Sequence, residues 1–161
     1  FILESKLWGE FVIAKSFMIY AIFSVVTLFI SGPLVDKFTS RKILPFMNLP
    51  SLLSMIILFY FDSYISAYFV LGFMGISNGL ANVLGSSTWA EIYGVKYIGS
   101  IKALTTAMMV FSTAFGTATF GLIIDSGYSI EVIAMISAAY IIVANILIVI
   151  IKKKIQPVLT K

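Results

Sequence analysis

The chain of 161 residues is 60% hydrophobic and only 11% charged, with a mean hydropathy of +1.06, against roughly 45–50% apolar and 25% charged residues in a soluble domain. That balance makes it a membrane protein. It contains no cysteine or histidine and carries a net charge of +4, which excludes disulfide frameworks, thiolate metal sites and imidazole acid–base chemistry. Its basic residues are not interleaved with aromatics on a polar surface, as a nucleic-acid binder requires.

Residues 1–10 carry Glu4, Lys6, Trp8 and Glu10 and lack the charged start, apolar core and small-residue cleavage site of a secretory signal. They read as a loop or short interfacial segment left by an upstream cut, with Trp8 at headgroup depth. Residues 11–31 form the first predicted span, long enough at about 1.5 Å per residue to cross a hydrocarbon core of roughly 30 Å. Gly32 and Pro33 are expected to close this helix, because Gly tolerates the backbone of a helix end and Pro cannot continue one. The loop 32–42 then gathers Asp36, Lys37, Arg41 and Lys42. Asp36 is a fixed negative point in a positive loop, suited to a helix N-terminus or an arginine on a neighbouring element.

A second span is predicted over 43–61, with Pro45 in its first turn and Pro50 far enough inside to kink it. Asp62 and Ser63 make a short turn into a third span, 64–90, followed by a polar loop, 91–100. The fourth span covers 101–124. Asp125, Ser126 and Gly127 turn the chain into a fifth, 130–151, which ends at a basic tail, 152–161. The fold class is therefore all-α, an integral membrane bundle of five transmembrane helices.

With loop 32–42 in the cytoplasm, that side holds Lys37, Arg41, Lys42, Lys96, Lys102, Lys152, Lys153, Lys154 and Lys161, nine of the eleven basic residues. This satisfies the positive-inside rule and places the amino end outside and the carboxyl end in the cytoplasm. Lys15 is the one cation within a span. Burying it at mid-membrane costs about 2.5–3.5 kcal/mol, but it lies one turn from the outer end, so snorkelling to the interface is the favoured reading.

In the third span Gly75, Asn78, Gly79, Asn82, Ser86 and Trp89 share one helical face. Two asparagines facing lipid are left unsatisfied, so the stripe must meet protein or water, either as close helix packing at Gly75 and Gly79 or as a cavity lining at Asn78 and Asn82. The fourth span has a similar stripe of Thr105, Met109, Ser112, Gly116 and Thr119, read as a packing face. Glu91 is read first as a solvated loop charge, with pairing to Lys96 or Arg41 as the second reading. No carboxylate falls mid-membrane, and no nucleophile with a base, metal-ligand cluster or phosphate-binding Gly-rich loop is found, so the chain does not read as an enzyme.

The run Gly32-x-Leu34-x-Asp36-Lys37-x-x-x-Arg41-Lys42 resembles the signature loop of the major facilitator superfamily, which joins the second and third helices of each six-helix half. Thr39 stands where the family usually has Gly. Ser40 stands where many members have a basic residue, although bacterial branches resembling the monocarboxylate and oxalate/formate transporters often have a small one. The stretch from Trp89 to Gly94, then Tyr97 to Ser100, is similar to the loop joining the tenth and eleventh helices of bacterial members.

Together the resemblances cover nearly the whole chain and imply helices 8–12 of a twelve-helix transporter, a carboxyl-terminal half without its first helix. The other seven helices, in the same or a second chain, and the lipid bilayer are the implied partners. The implied activity is cofactor-free transport of a small solute by alternating access. In that scheme Asn78 and Asn82 line the cavity and Lys15 anchors an anionic solute at the outer mouth. Gly32, Asp36, Lys37, Arg41 and Lys42, with Glu91, form the cytoplasmic gate, and any proton site falls on the other helices. The arginine that monocarboxylate-type members carry four residues before the signature Gly is Leu28 here. A bacterial-type plasma membrane is the implied location, and a non-transporting scaffold, receptor or inactive remnant is the alternative.

Overall fold

The computed structural model describes residues 8–154, with side chains through Lys152. Residues 1–7, with Glu4 and Lys6, and 155–161, with most of the expected tail, lie outside the described residues. The helices are α1 (Glu10–Phe38), α2 (Ser40–Ile43), α3 (Leu49–Tyr60), α4 (Tyr64–Tyr93), α5 (Ile98–Asp125) and α6 (Ile130–Lys154). Short 3-10 turns lie at Leu44–Phe46 and Val95–Tyr97, and no strand occurs among the described residues. Five helical segments are long and apolar enough to cross a membrane: Glu10–Phe38, Ser40–Tyr60, Tyr64–Tyr93, Val95–Asp125 and Ile130–Lys152.

The most extensive helix contact is between α1 and α4, and glycine makes it possible. A Cβ built on Gly75 would collide with the backbone oxygen of Tyr20, and one on Gly79 would lie 2.7 Å from both Ser24 O and Thr27 Cβ. Tyr20 meets Gly75 and Ser24 meets Gly79, so the two helices run parallel, their backbones touching where side chains are absent.

Two expectations about helix ends are corrected. Gly32 and Pro33 do not close α1, which continues to Phe38. Pro33 withholds one N–H from the ladder, but the clash that normally bars a helical residue before proline involves a Cβ, and Gly32 has none. The second span is not kinked at Pro50 but broken before it. The 3-10 turn Leu44–Phe46 and a turn at Met47 and Asn48 separate α2 from α3, and Pro50 sits in the first turn of α3. The side chain of Ser77 fills the break: its Oγ donates to Met47 O at 2.6 Å and accepts from Ser51 N–H at 3.2 Å. A hydroxyl from α4 is thus inserted into what would be the Ser51-to-Met47 helical bond, leaving both groups paired inside hydrocarbon.

At the end of the bundle remote from loop 32–42 a core forms from Trp8, Leu58, Ala67, Val70, Ile130 and Ala134. Trp8 is only 4% exposed and donates its Nε1 hydrogen to Asp62 O at 2.9 Å. It plugs that end of the bundle, and buried indole N–H groups need such an acceptor. Ser54 Oγ ties α3 to Val70 O of α4 at 3.0 Å. By contrast α5 has no buried residue. Its Thr105, Thr113, Thr117 and Thr119 donate to carbonyls of their own helix, which satisfies them without a neighbour.

Gly75→Ala is expected to lower stability by about 1–3 kcal/mol by forcing α1 and α4 apart. Gly121→Ala, in open space on α5, should be neutral or stabilising by up to about 1 kcal/mol. Thermal unfolding of the two purified variants compares them directly, and equal melting temperatures would remove the close-approach account.

Candidate functional site

The C-terminal ends of α1, α4 and α6 are drawn together by a polar latch built on α2. Ser40 is fully buried and its N–H donates to Glu91 Oε1 at 2.9 Å. Its Oγ accepts from Thr88 Oγ1 at 3.1 Å. Thr88 and Glu91 are three residues apart, so they lie on one face of the last turns of α4. The next residue, Arg41, donates from Nη2 to the carbonyl of Lys152 at 3.3 Å, placing a cation at the C-terminal end of α6, where the helix dipole and unpaired carbonyls favour one. Glu91 is thus not a solvated loop charge. It sits in the last turn of α4, half-buried, and its Oε2 is buried without a hydrogen-bond partner.

Thr39 explains the geometry of the latch. It is the one non-glycine residue with positive φ among the described residues, at φ 72° and ψ 137°. This is the position at which the signature pattern has glycine, and the backbone there takes the conformation that glycine tolerates. The reversal ends α1 and starts α2 immediately, turning Ser40 inward. Ser40 is fully enclosed, which suits a small residue in place of a basic one.

The remaining loop residues are not brought into this cluster. Gly32 lies inside α1 with no atom within 4 Å of where its Cβ would be. Asp36, Lys37 and Lys42 are exposed, with Lys37 Nζ 5.4 Å from the Phe38 ring centre.

The second polar feature is a ribbon along α4. Asn82 Nδ2 donates to Asn78 O at 2.9 Å, and Ser86 Oγ donates to Asn82 O at 3.3 Å. Asn78 Nδ2 crosses to Ser24 Oγ of α1 at 3.1 Å. Both asparagines are exposed. Gly75 and Gly79 are buried against α1, while Asn78 and Asn82 lie beside that seam on an open surface.

Lys15 is exposed, its Nζ 4.3 Å from the centre of the Phe11 ring, away from the ribbon in sequence and bonded to none of its members. Ser112 and Gly116 meet no helix closely. They line a cleft of about 560 Å³ between α5 and α6, walled by Phe111, Phe115 and Tyr140, and a Cβ on Gly116 would touch nothing within 4 Å.

Sequence reasoning passed over Ser24, Ser77 and Thr88, and noted Ser40 only as a small residue of the signature loop; each of the four bonds across helices. The one available signal was the spacing of Thr88 and Glu91 on a single face.

An all-helical chain with five apolar spans, a broken second span and a latch at one end is a polytopic membrane protein of the transporter type. The profile of the Major Facilitator Superfamily matches residues 2–159, and the chain belongs to that family, whose members are transporters rather than enzymes. Neither the comparison with curated proteins nor that with solved structures finds a match.

Thr39→Gly should raise stability by about 1–3 kcal/mol, the usual cost of a non-glycine residue held at positive φ. Chemical denaturation of the variant in detergent reads this out, and a lower midpoint than the wild type would show that the threonine is not strained.

Proposed function

We propose that this chain carries a small solute by alternating access as part of a twelve-helix transporter, its spans taking the places of helices 8–12. The observation that carries the reading is the exposed amide ribbon. Asn78 and Asn82 sit mid-way along an apolar span, where lipid contact leaves amides unsatisfied, so the ribbon faces protein or a water-filled cavity. Intramembrane polar groups of this kind mark solute pathways.

The other seven helices are the natural cover for this face and for α5, which buries nothing within the chain. In this scheme Ser24 holds the Asn78 amide in place, leaving the Asn82 end of the ribbon to the solute. Lys15 stands near the outer mouth, where it attracts an anionic group. The latch of Ser40, Arg41, Thr88 and Glu91, with Asp36, Lys37 and Lys42 exposed beside it, is the cytoplasmic gate element. Glu91 Oε2, buried and unpaired, is ready to accept a donor from the opposing half when that side closes.

The excess of lysine and arginine at the latch end supports a cytoplasmic carboxyl terminus and an extracytoplasmic amino end, in a membrane resembling the bacterial plasma membrane. A monocarboxylate-like specificity would rest on Ser40 alone, whose size the latch already explains, and Leu28 offers no charge.

Asn82→Leu and Asn78→Leu in the full-length protein are each expected to reduce transport by about tenfold or more, the effect of leaving a bound polar group without its partner. Counterflow in vesicles with a panel of small carboxylates, sugars and peptides tests this, with thermal unfolding to confirm that each variant is folded. Folded variants with undiminished transport would remove the ribbon from the site.

A further inference from the structure

Each amide of the α4 ribbon has its orientation fixed by a neighbour. A backbone carbonyl can only accept, so the Asn82 atom 2.9 Å from Asn78 O is the amide nitrogen, Nδ2. The same nitrogen lies 3.4 Å from the Asn78 side chain, which must turn its Oδ1 to it and its own Nδ2 to Ser24 Oγ at 3.1 Å. The hydroxyl hydrogen of Ser86 goes to Asn82 O at 3.3 Å. The donors of the ribbon therefore point back along α4 or across to α1.

What is left for an incoming molecule is mainly oxygen. Asn82 Oδ1 accepts no hydrogen bond among the described residues, on a side chain that is exposed. Ser86 Oγ, one turn farther along the same face, keeps its lone pairs. Against these acceptors stands one amide hydrogen, the second on Asn78 Nδ2. No positive charge lies close by: α4 contains no lysine or arginine, and α1 has none between Lys15 and Lys37. Lys15 precedes Ser24 by nine residues, about 14 Å along the helix at roughly 1.5 Å per residue, and its Nζ lies over the Phe11 ring, farther still from the ribbon.

This inventory separates the classes of small solute. A carboxylate or phosphate brings only acceptors and would set oxygen against oxygen. A polyol brings a donor with each hydroxyl but also lone pairs, for which the ribbon has almost no hydrogens. An ammonium group brings three donors and no acceptor, and hydrogen bonds from a charged donor are the stronger kind.

We propose, on the reading that the ribbon lines the solute path, that the solute carries a primary ammonium group, received by Asn82 Oδ1 and Ser86 Oγ. Asn82 then selects for N–H, while Asn78 and Ser24 are positioning residues that keep its oxygen turned outward. Simple amines and amino-acid zwitterions share this group.

The test is thermal unfolding of the full-length protein with five four-carbon probes: butylammonium, 4-aminobutanoate, butyltrimethylammonium, butanoate and erythritol. Butylammonium or 4-aminobutanoate is expected to stabilise the protein at a concentration about tenfold or more below that needed for butyltrimethylammonium, which keeps the charge but has no N–H. A response to butylammonium identifies an amine, and one confined to 4-aminobutanoate a zwitterion. Asn82→Leu should abolish the preference for N–H over trimethyl, and Ser86→Ala should reduce it. Equal response to the primary and trimethylated cations overturns the proposal without relying on a variant, as does the absence of response to both probes that carry N–H. A response to butanoate or erythritol alone that Asn82→Leu removes overturns the ammonium assignment and leaves the ribbon in the solute path. An N–H preference that survives in both folded variants places recognition elsewhere and overturns the assignment to Asn82 and Ser86.

Discussion

The approach of α1 to α4 at Gly75 and Gly79 is the contact on which the arrangement of the other helices depends. In hydrocarbon there is no gain from hiding apolar side chains, because lipid tails are equally apolar, so helices associate through close packing and hydrogen bonds. Removing two Cβ atoms one turn apart lets the backbones touch and sets the register of the pair. That register places Ser24 beside Asn78, presents Ser77 to the second span and carries Thr88 and Glu91 to the end of α1. One helix thereby serves three neighbours: glycines for α1, a serine for the break between α2 and α3, and a threonine and glutamate for the signature loop.

The second governing demand is that backbone polar groups in a bilayer find partners within the protein. An intact second span would meet it by itself, but Pro45 and Pro50 prevent that. The structure answers with Ser77, whose hydroxyl both donates and accepts across the gap. The break therefore depends on α4, and movement of one element must be followed by the other. The latch works in the same way. Arg41 supplies a donor to the end of α6 and Glu91 an acceptor to the start of α2, so the loop joins two helix ends that are distant in sequence.

The two ends of the bundle differ in kind. The end remote from loop 32–42 is closed by an apolar core around Trp8, Leu58 and Ala67, which holds through shape. The latch end is held by a few directional bonds around Ser40, with one carboxylate oxygen of Glu91 left over. Directional bonds can be exchanged for others at small net cost, because each is worth only about 0.5–1.5 kcal/mol net. An end built this way suits the proposed gate, and α5, without a buried residue, suits a surface shared with other helices.

The spans and the family were legible in the residues, because long apolar runs separated by charge have only one way to exist in a membrane, and the loop 32–42 has a recognisable spacing. The stripe on α4 was legible as a polar face, since a period of 3.6 residues brings Asn78 and Asn82 together whatever surrounds them. Its division was not: only packing shows that Gly75 and Gly79 turn to α1 while the asparagines remain open, because the residues share one face and differ by a small rotation. The end of α1 was misplaced for a local reason, as Gly32 relieves the clash that Pro33 would otherwise cause. Ser77 and Thr88 were invisible, since a serine or threonine in a span is satisfied equally well by its own helix or by a neighbour, and Ser40 was legible only as a small loop residue. The sequence by itself determined how many segments are long and apolar enough to cross a membrane and that most cations gather at the end that carries loop 32–42. Only the tertiary structure decided which hydroxyls and carboxylates join them, because those bonds depend on distances between segments that the order of residues does not contain.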